Sequence, residues 1–339
     1  MTKMRINLAL QGGGAHGAFT WGALDRLLQE PDLEIAAISG TSAGALNAAA
    51  LKSGMIENGA EGARRALDGL WHGIAQNSNT GLSQWFGQEL FSPSLISQAL
   101  ELSPHYMFAD AFNRMTSPYS WGPFYNHPLQ IIVDGFDYSE VCASEGPALY
   151  IGATNVRSGK VKVFQGDEIG PDALLASACL PTLFRAVEVD GEAYWDGGYT
   201  GNPPLFPLFG PDLPEDILII NINPLERDEV PQTPQAIQNR INEISFNSSL
   251  LRELRAISFV QRLLGEGSIA QGAMKQVNVH MIADDALMNE LSVATKTVAI
   301  PSVLGALKGA GQKSADAFLA AHRSDIGTRS SVNLEAMFQ

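Results

Sequence analysis

Read for its apolar and polar positions, the chain opens on a short, mostly apolar strand at residues 5–10 that runs into Gly12-Gly13-Gly14-Ala15-His16-Gly17. A helix follows, with Phe19, Trp21, Ala23, Leu24, Leu27 and Leu28 on its inner side, and it stops before Pro31. A second buried strand, Ile35-Ala36-Ala37-Ile38, ends in Ser39-Gly40-Thr41-Ser42-Ala43-Gly44. The next helix, Ala45 to Leu51, is nearly all alanine, so it must pack tightly on both sides. Strand, loop, helix, strand, turn and helix make a βαβ unit, which predicts a parallel sheet with helices on both faces.

Downstream, residues 60–76 predict a helix. Residues 77–128 change character. Ten of the chain's 27 aromatic residues lie between Trp85 and Tyr125, among them Phe86, Phe91, Tyr106, Phe108, Phe112, Tyr119, Trp121 and Phe124. Prolines 93, 104, 118 and 123 break the stretch, which reads as an insertion capping the sheet; with Met107, its aromatics are candidates to line an apolar groove or to form a small core of their own. Strands resume at Leu129–Val133, Ala148–Ala153 and Val161–Phe164, and residues 172–180 predict a short helix. Asp190-Gly191 between two alternating runs signals a hairpin whose second strand runs into Asp196-Gly197-Gly198. Another strand is expected at Ile217–Ile222. A long helix is expected at 234–264, with Ile237, Ile241, Ile244, Leu251, Leu254 and Ile257 at helical spacing, packing against the sheet or else meeting a partner or a membrane surface. A strand at Val277–Ile282 and two helices complete the pattern.

Composition narrows the function. The chain carries 22 basic and 36 acidic residues, a net charge of −14, with no basic run. Phosphate backbones are bound by neutralising them, so nucleic acid is a poor partner. A chain of 339 residues buries enough surface to need neither disulfide nor metal. Cys142 and Cys179 show no metal-binding spacing and read as two thiols in a reducing compartment. The first apolar run is too short for a signal-peptide core, and no run reaches the ~18–20 apolar residues of a membrane span. These features lead to the expectation of a cytoplasmic protein that its net charge does not steer towards an anionic membrane.

Two loops carry candidate chemistry. Gly12-x-Gly14-x-x-Gly17 matches the dinucleotide fingerprint, but the second strand ends without the acidic residue that would hold a ribose. Three consecutive glycines ahead of a helix also suit an oxyanion hole, in which backbone N–H groups converge on developing negative charge. Gly40-Thr41-Ser42-Ala43-Gly44 matches G-x-S-x-G, a sharp strand-to-helix turn that exposes a nucleophilic serine; the plainer reading makes Ser42 a helix N-cap. Both loops leave the same side of one βαβ unit. Serine needs a base. None of His16, His72, His105, His127, His280 and His322 stands in a recognisable triad context, whereas Asp196 ends a strand before Gly197-Gly198.

GGGAHG, then GTSAG, then DGG together resemble the patatin-like phospholipase family. The resemblance covers residues 4–225, and Ala176-Ser177-Ala178 with Pro181 and Asn202-Pro203 fit it too. It implies a three-layer α/β/α fold with a mostly parallel sheet, the cap at about 77–128, and a mainly helical extension over 226–339. It implies a lipid acyl hydrolase working without metal or cofactor. Ser42 then resembles the nucleophile, Asp196 the base, and Gly12, Gly13 and Gly14 the oxyanion loop, with Gly17, Gly40, Gly44, Gly197 and Gly198 shaping the turns. The family often carries Lys or Arg where this chain has His16, whose charge is not fixed at neutral pH. Alternatives are a Ser–His–Asp esterase or thioesterase using His280 or another histidine, a dinucleotide-binding oxidoreductase, and a non-catalytic lipid-binding scaffold.

Overall fold

A computed structural model describes residues 3–77, 92–104, 106, 108, 112, 115–181, 183–227, 230–270 and 272–338. Its centre is an eight-stranded sheet of β1 (Met4–Leu10), β2 (Leu33–Thr41), β3 (Ala148–Asn155), β4 (Val161–Gln165), β5 (Val187–Val189), β6 (Glu192–Asp196), β7 (Asp216–Ile220) and β8 (Asn278–Ile282). The order is β5-β6-β3-β2-β1-β7-β8, with β4 also on β3. β3, β2, β1, β7 and β8 run parallel, while β4 and β6 pair antiparallel with β3, and β5 pairs antiparallel with β6. The mostly parallel α/β/α expectation therefore holds.

Alternation along the strands makes two cores. Leu8 and Leu10 of β1, Ile38 of β2 and Leu218 and Ile220 of β7 share one core with α1 (Gly17–Leu27), α2 (Ala43–Asn77) and residues C-terminal to β8. Ala9, Ala37, Ile217, Ile219 and Val279 face the other. Remaining helices used below are α3 (Pro93–Glu101), α4 (Pro171–Ser177), α5 (Pro234–Gly265), α6 (Asp285–Glu290), α7 (Val293–Thr297) and α8 (Pro301–His322). The expected helices after Ser42 and over 60–76 are the two halves of α2, joined across non-helical Asn58 and Gly59.

The Asp190-Gly191 hairpin forms as expected, with φ of 51° and 79° at its two turn residues. The run Leu129–Val133 does not become a strand. Gln130–Val133 is one helical turn in which Val133 is buried and Ile131 is 71% exposed. A short apolar run has no period long enough to separate the two structures. In the cap, Trp85, Phe86, Phe91, His105 and Met107 lie outside the described residues. Phe108 and Phe112 stack on each other, exposed, at 6.3 Å, and Tyr119 is exposed as well.

The long helix α5 departs from its expected stripe. Leu254 and Ile257 pack on the sheet with Leu250, but Ile237, Ile241 and Ile244 face outward. The inward side of that first half is polar instead, holding Glu243 and Asn247.

Residues beyond 225 are built into the same body. β8 extends the sheet beside β7, and α8 lies against α1 with backbones nearly touching. A Cβ on Gly22 would collide with the Lys308 carbonyl, and one on Gly311 with the Phe19 carbonyl. Overpacking of this kind costs roughly 1–3 kcal/mol. Gly311→Ala is expected to lower the unfolding free energy by that amount in a urea titration; an unchanged midpoint would show that the two helices are free to separate.

Candidate active site

The register of β3 brings Ser42 and Asp196 together. β4 pairs with residues 150–154 and occupies one edge of β3. On the other edge β2 climbs until Thr41 stands beside Gly152. β6 descends the same edge until Asp196 stands beside Ala153. The carboxyl ends of two strands thus meet head-on at adjacent residues of a third.

Each end turns sharply away. Ser42 has φ 55°, a left-handed conformation that costs of order 1 kcal/mol or more for a residue with a side chain. Ser177, on the last turn of α4, supports it: its Oγ accepts the Ser42 N–H at 2.9 Å and donates to the Gly152 carbonyl at 2.6 Å. Gly44 lets α2 start against β1, since a Cβ there would collide with the Leu10 carbonyl, and Gly40 likewise clears the Gly44 carbonyl. The Ser42 carbonyl accepts the first N–H groups of α2, from Ala45 and Leu46, but its hydroxyl caps nothing. That leaves the hydroxyl available, against the N-cap reading.

Asp196 is 1% exposed. Its backbone is clamped, with its N–H donating to the Cys179 carbonyl at 2.7 Å and its carbonyl accepting from Thr154 Oγ1 at 2.8 Å. Gly197 lets the turn pass the Gly152 carbonyl, and the Gly198 N–H donates to Asp196 Oδ1 at 2.7 Å. Oδ2 is buried with no hydrogen-bond partner. Burial pushes the carboxyl up to about 7, although the Gly198 amide and the nearby Ser42 hydroxyl both pull it down. The serine is close enough to be felt, but among the described residues nothing satisfies Oδ2.

The glycine loop closes over Ser42. A Cβ on Gly12 would stand 2.7 Å from the serine's Cβ. Gly17 is where α1 meets α2, a Cβ there falling 2.7 Å from that of Ala43. Of the three candidate oxyanion donors, Gly12 is already committed, its N–H going to Asn202 Oδ1 at 2.7 Å. The amides of Gly13 and Gly14 donate to no described residue.

The sequence reading missed the network behind this loop. Asn223 Nδ2 donates to the Gly12 carbonyl at 2.7 Å, and Asn202 Nδ2 does so at 3.4 Å. Gln11 Oε1 accepts from the amides of Ile222 and Asn223. Lys296 Nζ donates to Asn223 Oδ1 at 3.0 Å and lies 3.8 Å from Glu243, which also pairs with Arg227. The only sequence hint was the polar pair Asn221 and Asn223 at the end of an apolar strand.

His16 and His280 play other parts. His16 is fully buried, and burial, then the charges of Lys296 and Arg227, hold its pKa well below the usual value. Thr295 Oγ1 donates to the Ser292 carbonyl and therefore accepts from His16 Nε2 at 2.8 Å. The ring is thus neutral at physiological pH and contributes no charge for gripping an anion. His280 does join a Ser–His–Asp chain, with Asp216 Oδ1 at 2.9 Å and Ser331 Oγ at 3.0 Å. Asp216 starts β7, about 13 Å of strand before its carboxyl end, and also accepts the Gly327 N–H. This chain fastens the C-terminal segment to the sheet and does not reach Ser42.

Residues 8–209 match the patatin family, described as patatin-like phospholipase, and the chain belongs to it. Its class is that of the lipid ester hydrolases. No curated protein matches the chain. Among solved structures it is similar to VipD from Legionella pneumophila (16% identity, TM-score 0.45, 94% of this chain and 67% of that one). It is also similar to the complex of SpcU with ExoU of the type III secretion system of Pseudomonas aeruginosa (16% identity, TM-score 0.32, 94% of this chain and 54% of that one). At those scores neither neighbour bears on the chemistry of the site.

The raised Asp196 pKa has a cost in stability. Folding favours the neutral carboxyl, so stability is lost as pH rises from the unfolded value near 3.8 through about 7, and is level above. At 1.36 kcal/mol per unit the loss is of order 4 kcal/mol. Asp196→Asn is expected to escape it: denaturation at pH 4 should find the two proteins alike, and at pH 8 the variant more stable. Equal stability at pH 8 would mean that Asp196 is not held in a desolvated site.

Proposed function

We propose that the protein cleaves the carboxylic ester of a phospholipid or related lipid through a Ser42–Asp196 dyad. The observation that carries this reading is the buried Asp196 carboxylate, near pKa 7 with Oδ2 unpartnered, beside a serine in a left-handed turn. A base works best with a pKa near the operating pH, and burial supplies that here.

In the reaction, Ser42 Oγ attacks the ester carbonyl carbon and its proton passes to Asp196 Oδ2. The oxyanion is held by the amides of Gly13 and Gly14 at the start of α1. On collapse the carbon–oxygen bond to the alcohol breaks, and Asp196 protonates that alcohol. Water then gives a proton to Asp196 and attacks the acyl-enzyme. The fatty acid leaves as Ser42 recovers the proton. No step calls for a metal or cofactor. Two free thiols, Cys142 and Cys179, fit a reducing compartment such as the cytoplasm, with the enzyme peripheral at a lipid surface.

The network behind the loop tunes its donors. The carbonyl of Gly12 and the N–H of Gly13 belong to one peptide group. Hydrogen bonds into that carbonyl from Asn223 and Asn202 polarise the group and make its N–H a stronger donor. Lys296 adds its charge at the far end of Asn223. Lys296 is in this sense a positioning residue.

Labelling with a fluorophosphonate probe, mapped by mass spectrometry, tests the dyad. An adduct on Ser42 that is lost in a folded Asp196→Asn protein is the expected result; a folded wild type that takes no label would leave a non-catalytic lipid-binding scaffold. Since the base must be ionised, kcat/KM is expected to fall tenfold per pH unit below about 7. A profile flat down to pH 5 would remove Asp196 as the base.

Removing an oxyanion donor costs about 10²–10³ in rate, and Lys296, acting through a neighbour, is expected to count for less, about tenfold. Lys296→Met should lower kcat with KM unchanged, and Lys296→Arg should restore most of it. Equal changes in both variants would show a role in packing alone.

A further inference from the structure

On the outer side of α5, Ile237, Ile241 and Ile244 are 43%, 52% and 54% exposed. Their spacing of four and three residues puts them on one face. The same face continues through the exposed arginines Arg252, Arg255 and Arg262, beside Phe259 at 52% exposed. None of the three arginines has an acidic partner among the described residues. Arg255 and Arg262 instead lie over the rings of Phe338 and Phe259. The two acidic residues of α5 are used elsewhere, Glu243 with Arg227 and Glu253 on the Leu205 amide. A chain of net charge −14 therefore shows, on this one helix, a face of isoleucine and arginine.

The inner side of the same turns belongs to the active site. Phe246 packs on Gly198 and on the Tyr199 ring, Asn247 bonds Gln11, and Ser249 Oγ accepts the Asn202 amide. A helix is ~10–12 Å across, so the outer face stands about that far from residues that shape the oxyanion loop.

We propose that this face of α5 docks on an anionic lipid bilayer, with the isoleucines entering the acyl boundary and Arg252, Arg255 and Arg262 meeting the headgroups. The inference rests on the lipid substrate proposed above. Basic charge with apolar side chains is the pattern of helices that lie in a membrane interface. A second copy docked face to face would set the same unpaired arginines against one another, whereas anionic headgroups pair with them.

The test uses Ser42→Ala protein, so that binding is read without hydrolysis, and vesicles of phosphatidylcholine with about one third phosphatidylglycerol. Flotation with these vesicles, weakened by salt, is expected. The triple variant Ile237→Asn, Ile241→Asn, Ile244→Asn should bind about tenfold more weakly or worse. Arg252→Gln with Arg255→Gln should bind these vesicles less and lose most of the salt dependence, by about fivefold for each arginine. With Ser42 intact, the isoleucine variant should hydrolyse a soluble short-chain ester at the wild-type rate. Absence of flotation, or equal flotation of the isoleucine variant, overturns the proposal. Self-association of the wild type that the isoleucine variant abolishes overturns it too, by assigning the face to a second copy. If no variant with Ser42 hydrolyses the soluble ester while vesicle binding behaves as stated, the hydrolase reading fails and the docking face stands.

Discussion

Everything in the site follows from two strands ending nose to nose along one edge of β3. Strand register is quantised in steps of one residue, and a slip of one would turn each side chain to the opposite face. With Thr41 at Gly152 and Asp196 at Ala153, neither β2 nor β6 can extend further without running into the other. Both must turn, and the two turns present a serine and an aspartate to each other. The left-handed backbone of Ser42 and the tight glycines after Asp196 are consequences of that collision of paths. The meeting of Ser42 with Asp196 is thus a property of the sheet before it is a property of side chains.

In the proposed dyad, burial would do the electrostatic work that a histidine does in a triad. Asp196 is buried, and among the described residues only the Gly198 amide makes a formed hydrogen bond to its carboxylate. Had Oδ2 been given a donor of its own, the carboxylate would have become too weak a base. The site therefore leaves a buried polar atom unmatched, which elsewhere in a protein is a defect. The neutral His16 beneath the loop fits the same picture, because the positive charge near Gly12 comes from Lys296, through Asn223.

The parts of this arrangement that were legible in the sequence are local ones. The turn at Ser42, the glycine loop and the Asp190-Gly191 hairpin each need particular residues at consecutive positions, and backbone sterics explain why. What escaped the sequence is long-range or depends on which face is covered. Gln11 and Asn223 are 212 residues apart, and no periodicity links them. Leu129–Val133 is too short to show a period. The isoleucines of α5 keep a helical spacing, but spacing identifies a face and not what lies against it. Of the expected oxyanion donors, Gly12 differs because the Asn202 side chain takes its amide, a contact across 190 residues.

Ser177 has a consequence for how such a site is inherited. One oxygen accepts from the elbow and donates to the strand beside it, so alanine, valine or cysteine at 177 would each lose one or both bonds. Three segments far apart in the chain, around residues 42, 152 and 177, are thereby joined through a single atom. The elbow is not a portable cassette. Transplanted into another α/β sheet as a pentapeptide, it would arrive without the hydroxyl that holds its backbone open. Only α4, β3 and the elbow moved together would carry the turn's geometry across.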